Sequence, residues 1–313
     1  MAQNVGSPAV LAFVLGAVAV RLKSDLSFPE SVTSLLSTYL LLAIGLKGGL
    51  RLRDTAFDDI VWPLVATIAL GVITPIVTYV FARKLLTRSP SDAAALAAHY
   101  GSVSAVTFTA AETFTRNAGT LGEDYLAALV AALEVPGIIV ALVIASRVLG
   151  KSTFRSAVHE VVTGRSVVLL LGGLLIGFVA SEKSASLVEP LFVDMFPGVL
   201  VLFLLDLGVL AGSRLEVIRQ AGKRLVAFGI LLPALFGAFG AVVGTAAGLS
   251  VGGVTVLATM AASASYIAAP AAVRIGMPEA DAGLALGAAL GITFPFNLVV
   301  GIPIYAELAS RLA

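Results

Sequence analysis

The sequence predicts an all-α integral membrane protein of ten transmembrane helices, arranged as a 5+5 inverted repeat with broken fourth and ninth helices. Of its 313 residues, 58% are hydrophobic and only 12% are charged, whereas a soluble domain carries about 25% charged residues. Apolar runs alternate with short charged segments, and three stretches of the first half recur in the second. Because so few charges cannot cover a soluble globule, lipid is the expected solvent.

Ten apolar runs approach the length of about 20 residues that a membrane helix needs. They cover residues 8–22, 30–50, 60–86, 92–115, 122–148, 165–181, 189–213, 222–248, 252–274 and 279–310. With the N-terminus outside, 14 of the 20 Lys and Arg residues fall on the inner side. The positive-inside rule therefore predicts that both termini are outside. The opening "MAQNVGSPAV" has no Lys or Arg, so we expect the first run to be retained rather than cleaved as a signal peptide.

The two halves of the chain resemble each other in three places. "IGLKGGLRL" (44–52) matches "LGVLAGSRL" (207–215), "GSVSAVTFTAA" (101–111) matches "ASASYIAAPAA" (262–272), and "LVAALEVPG" (129–137) matches "AALGITFPF" (288–296). Five helices per repeat is an odd number, so the second copy enters the membrane upside down, as in many secondary transporters. The predicted units are a first repeat at 1–150, a short cytoplasmic linker at 151–164 and a second repeat at 165–313.

Small polar residues weaken the fourth and ninth helices near their midpoints. Pro270 further disfavours helix in the ninth. Inverted symmetry would bring the two breaks together, and the half-helices that follow them would direct free N–H groups into one space. We predict a site for a small, hydroxyl-rich or anionic solute. The residues assigned to it are Gly101, Ser102, Val103, Ser104, Ala105, Thr107, Ser263, Ala264, Ser265 and Tyr266. Close helix packing is the alternative interpretation of the same small residues.

Carboxylates inside membrane helices are costly and usually face a cavity or a partner. Glu134 precedes Pro136 and is the preferred cation ligand; Thr293 and Asn297, in the matching stretch of the second half, are further candidates. Oxygen ligands of this kind suit sodium, whereas a protonatable Glu would suit a proton. Glu112 and Asp206 are weaker candidates, and Glu134 also has a structural alternative as a neutral, hydrogen-bonded side chain.

Several function classes fit the sequence poorly. The chain has no Cys and only two His residues, so thiolate chemistry and a His-based metal site are not expected, and no enzyme activity is predicted. A net charge of +1 gives no reason to expect nucleic acid as a partner. A passive channel remains an alternative, because it needs no cation coupling. A receptor or scaffold would not need two symmetric breaks.

The stretches "SPAVLAFVLG", "IGLKGG", "GSVSAVT", "EVPG", "SASYIAAPAAVRIGMP" and "GIPIY" resemble the sodium-dependent bicarbonate transporter family over nearly the whole chain. The resemblance implies a homotrimer in the bacterial plasma (inner) membrane, surrounded by lipid. It also implies sodium-coupled uptake of a small anion, most simply bicarbonate, at the two helix breaks, with one domain moving against a gate domain. Apart from Na⁺ as the coupling ion, no cofactor is implied.

Two departures from the family pattern bear on the substrate and on regulation. Cyanobacterial members have "SSSDISGPP" where this chain has "SASYIAAPA", so Tyr266 replaces an aspartate, while Glu134 replaces another aspartate and keeps the carboxylate. A different small anion or organic acid, coupled to sodium or to protons, is therefore an alternative. The short central loop also argues against a PII-like regulator as partner.

Overall fold

A computed structural model describes residues 6–150 and 154–313 of the chain. Regular structure within these residues is helical, without a strand. The first half contains α1 (Pro8–Arg21), α2 (Glu30–Leu52), α3 (Phe57–Phe81), α4 (Pro90–Gly101), α5 (Ala105–Asn117) and α6 (Leu126–Leu149).

The second half of the described chain is also helical. It contains α7 (Phe154–Val162), α8 (Arg165–Val179), α9 (Glu182–Glu189), α10 (Phe196–Ser213), α11 (Leu215–Ala246), α12 (Val251–Ala261), α13 (Ala269–Gly276) and α14 (Ala282–Leu312). α14 includes two π-helical turns, Gly287–Thr293 and Asn297–Gly301, which flank Pro295. Proline removes a backbone donor and distorts the helix around it.

Six helical segments in the described part of the chain are long and apolar enough to cross a membrane, or seven if the bent pair α7 and α8 is one span. The protein is therefore a multi-pass membrane protein. The predicted count of ten is not reached by this criterion, because α1 and α12 are short and the fourth span is divided into α4 and α5. The number of spans stays a prediction.

The predicted central linker contains a helix that the sequence analysis did not anticipate. Phe154–Val162 forms α7, which packs on α13 and α6. Its buried residues Ala157 and Val161 are four positions apart and so share one helix face. Residues 151–153 of the predicted linker lie outside the described residues.

The helices fall into two packed groups. α3, α4 and α6 contact one another, as do α11, α12 and α14, and the two sets meet where α5 contacts α12 and α13 contacts α4. We call these helices, α3 to α6 and α11 to α14, the core group. α1 packs on α10 and α2 packs on α8; we call these four helices the gate group.

In each half of the chain, a loop is hydrogen-bonded to the N-terminus of a helix in the other half. The Glu123 carboxylate accepts hydrogen bonds from the backbone N–H and the hydroxyl of Ser250, at 2.5 and 2.7 Å, where Ser250 caps α12. Asp92, in the first turn of α4, accepts a hydrogen bond from the backbone N–H of Asp281 at 2.9 Å. Negative charge is favourable at a helix N-terminus, so these contacts stabilise both ends of the core group.

Helices of the gate group approach each other through glycine. A Cβ atom on Gly49 of α2 would lie 2.1 Å from the Leu174 carbonyl oxygen of α8, and one on Gly177 would lie 2.2 Å from the Leu46 carbonyl oxygen. The same relation holds between α10 and α1, where a Cβ atom on Gly208 would lie 2.1 Å from the Phe13 carbonyl oxygen. Small residues of this kind allow the close packing that holds membrane helices together.

Replacing Gly177 with Ala should separate α2 from α8 and lower the thermal stability of the protein in detergent by several degrees, because the added methyl group overlaps a backbone oxygen. Gly172→Ala on the same helix is the control, since nothing lies within 4 Å of the position its methyl group would take. Unfolding is followed by the loss of the monodisperse peak in size-exclusion chromatography after heating. Equal midpoints for the two variants would contradict this account of the packing.

Candidate functional site at two helix breaks

The first break lies where the sequence predicts it, between α4 and α5. α4 ends at Gly101, and Ser102 has an extended backbone (φ −105°, ψ 173°). Ser104 then caps α5, and its hydroxyl accepts a hydrogen bond from the Thr107 N–H at 3.1 Å. A serine hydroxyl at this position satisfies one of the N–H groups that a helix start leaves without a partner.

The second break lies between α12 and α13, at residues 262–268. α13 begins at Ala269, with Pro270 in its first turn, where a missing N–H is tolerated. The Ser265 hydroxyl accepts a hydrogen bond from the Ala269 N–H at 3.3 Å. Ser104 and Ser265 therefore perform similar tasks, since each bonds the start of the half-helix that follows its break.

The two breaks contact each other directly. The Ser104 N–H donates to the Ser263 hydroxyl at 3.0 Å, and the Ser104 hydroxyl donates to the Tyr266 hydroxyl at 3.1 Å. Nearby, the Ser265 N–H donates to the His99 carbonyl oxygen at 2.7 Å, and His99 Nδ1 lies 2.7 Å from the Ser265 carbonyl oxygen. Side chains and backbone of one break thus provide hydrogen-bond partners for the other.

A small cavity of about 10 Å³ lies at this crossing, which we call the break cavity. It has room for about one water molecule. Its polar lining consists of Ser104, Glu134, Ser166, Ser265 and Tyr266. The Tyr266 ring packs edge-on against Phe294, with 5.5 Å between the ring centroids, so this side chain occupies space between the breaks that a small solute would need.

Glu134 is the carboxylate of the break cavity. Its side chain is 3% exposed and hydrogen-bonds with the Ser166 side chain. The backbone carbonyl oxygen of Glu134 accepts a hydrogen bond from the Ser102 hydroxyl at 3.0 Å. Pro136 follows two positions later, and helix α6 continues through it. A buried carboxylate with a hydroxyl partner can bind a cation or a proton.

Thr293 and Asn297 lie on α14 and are fully buried, but they do not line the break cavity. The Thr293 hydroxyl donates to the Gly229 carbonyl oxygen at 2.8 Å and lies 2.7 Å from the Tyr100 hydroxyl. The Asn297 amide donates to the Ala262 carbonyl oxygen of the second break at 2.8 Å. The structure therefore does not gather the three predicted cation ligands in that cavity.

The other predicted solute-binding residues are also buried at the breaks. They are Gly101, Ser102, Val103, Ala105, Thr107, Ser263 and Ala264. Val103 and Ala105 line the break cavity, whereas the hydroxyls of Ser102 and Ser263 donate to protein carbonyl oxygens.

Sequence reasoning missed Ser166, Tyr100 and Tyr305. Ser166 is the hydroxyl partner of Glu134, Tyr100 contacts Thr293, and the Tyr305 hydroxyl donates to Asn297 Oδ1 at 3.2 Å. Of the weaker acidic candidates, Glu112 forms an ion pair with Arg116 at 3.0 Å, and Asp206 accepts a hydrogen bond from Thr33 at 2.7 Å.

Long apolar helices and two helix breaks that share one buried polar cavity define a multi-pass membrane protein with an internal site. A family model described as the Na⁺-dependent bicarbonate transporter superfamily matches residues 8–310. The chain belongs to this superfamily, which confirms the family predicted from the sequence and is consistent with the expectation of a transporter rather than an enzyme. A comparison with curated proteins gave no match.

Asn297→Ala should destabilise the protein, since it leaves the buried Ala262 carbonyl oxygen without its amide donor, while the Tyr305 hydroxyl keeps the Pro233 carbonyl oxygen as an acceptor. A lost partner costs about 1–3 kcal/mol for each buried polar group, so we expect a clear drop in the thermal midpoint in detergent. Thr255→Val is the matched control, because that buried hydroxyl bonds only to the Val251 carbonyl oxygen of its own helix. An equally small effect of both substitutions would show that Asn297 does not support the second break.

Proposed function

We propose that the protein is a secondary transporter that imports a small anion, most simply bicarbonate, together with sodium by alternating access. The observation that carries this proposal is the break cavity, where hydroxyls from both breaks meet the buried carboxylate of Glu134. Membership of the superfamily supports sodium and bicarbonate as the first pair to test. The proposed location is the bacterial inner membrane, with both termini outside and three copies forming a homotrimer.

Coupling follows from the charges in the break cavity. A carboxylate at Glu134 would repel an anion held by Ser104 and Ser265, because electrostatic forces are strong where water is excluded. A sodium ion at Glu134 removes this repulsion, so each ligand strengthens the binding of the other. Asn297 then acts by holding the second break in place through the Ala262 carbonyl oxygen, and Thr293 acts by joining α14 to Tyr100 of α4 and Gly229 of α11.

An inverted 5+5 repeat is part of the proposal, and the packing of the helices supports it. If α1 and α8, the first helices of the two predicted repeats, are equivalent, the contact of α1 with α10 corresponds to the contact of α8 with α2. Both are close contacts at glycine. Gly49 and Gly208 belong to the sequence match between 44–52 and 207–215. The carboxylate contacts at Ser250 and Asp281 also join equivalent loops to equivalent helix starts.

Alternating access would require the core group to move against the gate group. The break cavity has room for about one water molecule, so an anion larger than water enters only after the site widens. Tyr266 is the side chain whose displacement would create that space, because its hydroxyl reaches Ser104 and its ring lies between the breaks.

A different small anion or organic acid, coupled to protons, is the second candidate. Glu134 is the sole carboxylate among the residues that line the break cavity, and it already has a hydroxyl partner in Ser166. A protonated Glu134 would remove the same repulsion as bound sodium. A passive channel is the less favoured alternative, and it would not accumulate a solute against its gradient.

Purified protein in liposomes should accumulate labelled bicarbonate when an inward sodium gradient is imposed. The double substitution Ser104→Ala plus Ser265→Ala should abolish accumulation, because it removes the two hydroxyls that bond to the starts of the half-helices after the breaks. Ser146→Ala plus Ser213→Ala is the matched control, since these hydroxyls bond to carbonyl oxygens of their own helices away from the breaks. Folded wild-type protein without accumulation would remove bicarbonate as the substrate, and the same vesicles would then be screened with other anions and a proton gradient.

Glu134→Gln should reduce sodium-driven accumulation at least about tenfold, because the amide keeps a hydrogen bond to Ser166 but cannot neutralise a cation. Asp206→Asn tests the specificity of this effect, since Asp206 is a buried carboxylate of the gate group that bonds to Thr33. The measurement is the sodium dependence of initial uptake. Unchanged sodium dependence in Glu134→Gln would exclude Glu134 as the coupling carboxylate.

A further inference from the structure

A cavity of about 480 Å³ lies between α2, α5, the start of α6 and α9; we call it the vestibule. It is much larger than the break cavity and carries many charges. Its charged lining residues are Lys47, Arg51, Arg53, Arg116, Asp54, Glu112, Asp124, Glu182 and Glu189.

Most of these charges are paired, although the five carboxylates outnumber the four cations. Arg53 contacts Asp54 at 3.4 Å and Glu182 at 3.3 Å. Arg116 lies 3.0 Å from both Glu112 and Asp124. Four of the five lining carboxylates are therefore held by two arginines, and Glu189 is the fifth.

Lys47 and Arg51 are different, because neither forms an ion pair within residues 6–150 and 154–313. The Lys47 ammonium lies 4.7 Å from the centroid of the Phe196 ring, a contact that leaves its N–H donors available. Lys47 is half-buried in the vestibule wall, whereas Arg51 is exposed one turn closer to the end of α2. Two cations on one helix thus face the vestibule without a carboxylate partner.

The same face of α2 leads from the vestibule to the break cavity. Ser37, Leu41, Ile44, Lys47 and Arg51 are three or four positions apart, which places them on one side of the helix. Ile44 lines both the vestibule and a second void of about 10 Å³, and Leu41 lines both that void and the break cavity. Lys47 is six residues beyond Leu41, roughly 9 Å along the helix at 1.5 Å per residue.

The void between the vestibule and the break cavity, which we call the neck, is almost entirely apolar. Its one unpartnered polar atom is the Ser37 hydroxyl oxygen, which is buried and has no hydrogen-bond partner in the described structure. Buried hydroxyls normally have a partner.

We propose that Lys47 and Arg51 form an anion-capture site in the vestibule, where a small anion binds before it passes the neck to the helix breaks. Because the lining as a whole holds five carboxylates against four cations, the attraction for an anion is local to Lys47 and Arg51, the two lining cations without an ion pair in the described residues. Lys47 is the inner of the two and determines how closely the anion approaches the neck. That the captured anion is also the transported one rests on the proposed function.

The first test measures anion capture without transport, and it uses the absence of Cys from the chain. Ser186→Cys places one thiol in the vestibule, and Ser184→Cys places one on the same helix outside it. The rate of modification by an anionic sulfonatoethyl methanethiosulfonate is divided by the rate for the cationic trimethylammonioethyl reagent. Adding Lys47→Gln should lower this ratio at least about threefold at Ser186→Cys and leave it unchanged at Ser184→Cys. Lys47→Arg should preserve the ratio, and a ratio independent of Lys47 would overturn the capture site.

The second test measures transport in the same liposomes. Lys47→Gln should raise the KM for the anion about three- to tenfold with Vmax within twofold, because the residue acts before the step at the breaks. Lys183→Gln is the matched control, since it removes a charge from α9 outside the vestibule. Transport by Lys47→Gln that equals the control would overturn the role of the site in uptake. If no anion is transported but the thiol ratio still depends on Lys47, the proposed function fails while anion capture stands.

Discussion

The structure depends on the requirement that backbone polar groups within a membrane find partners in the protein. Two segments, residues 102–104 and 262–268, leave the helical conformation deep inside the molecule and interrupt the intrahelical hydrogen bonds. The partners come from the opposite break, as in the bond from the Ser104 N–H to Ser263 and the bond from the Ser265 N–H to His99. Each break relies on the opposite half of the chain for these partners, and the two halves cross at this point.

The core group and the gate group are held together by different kinds of contact. The core group is held by hydrogen bonds at the breaks and by the carboxylates of Glu123 and Asp92 at two helix starts. The close contacts between α2 and α8 and between α1 and α10 depend on glycine and van der Waals packing instead. Small voids lie where α2 faces the breaks. A shift between the groups would break fewer hydrogen bonds than a separation of the two breaks, which is the physical basis for the proposed alternating access.

The sequence predicted the features that depend on local pattern. Gly101 and the serines mark the first break and Pro270 the second, because helix weakening by glycine, serine and proline is a local property. The membrane class followed from composition in the same way. The helix at 154–162 was missed because its apolar face is short and lies between charged residues.

Contacts between distant residues could not be predicted in this way. The sequence grouped Thr293 and Asn297 with Glu134 because of a repeat match, yet Thr293 bonds to Tyr100, 193 positions away. Which face of α14 meets which helix depends on the π-helical turns around Pro295, and spacing by four residues does not reveal them. The role of α2 in lining the vestibule and the neck could not be predicted either, because this face of the helix consists of apolar residues followed by basic ones.

Tyr266 shows what a ligand at the breaks must provide. The Ser104 hydroxyl already accepts a hydrogen bond from Thr107, so its proton is directed to the Tyr266 hydroxyl oxygen. A ligand that displaces Tyr266 meets this donor and can bond to it through an acceptor, as an anion does. The same ligand then lies in a cavity lined by Glu134, where two negative charges cannot coexist without a cation or a proton. Preference for an acceptor and the need for a coupled positive charge thus arise from two neighbouring side chains, which explains why anion binding and cation coupling are expected in one site.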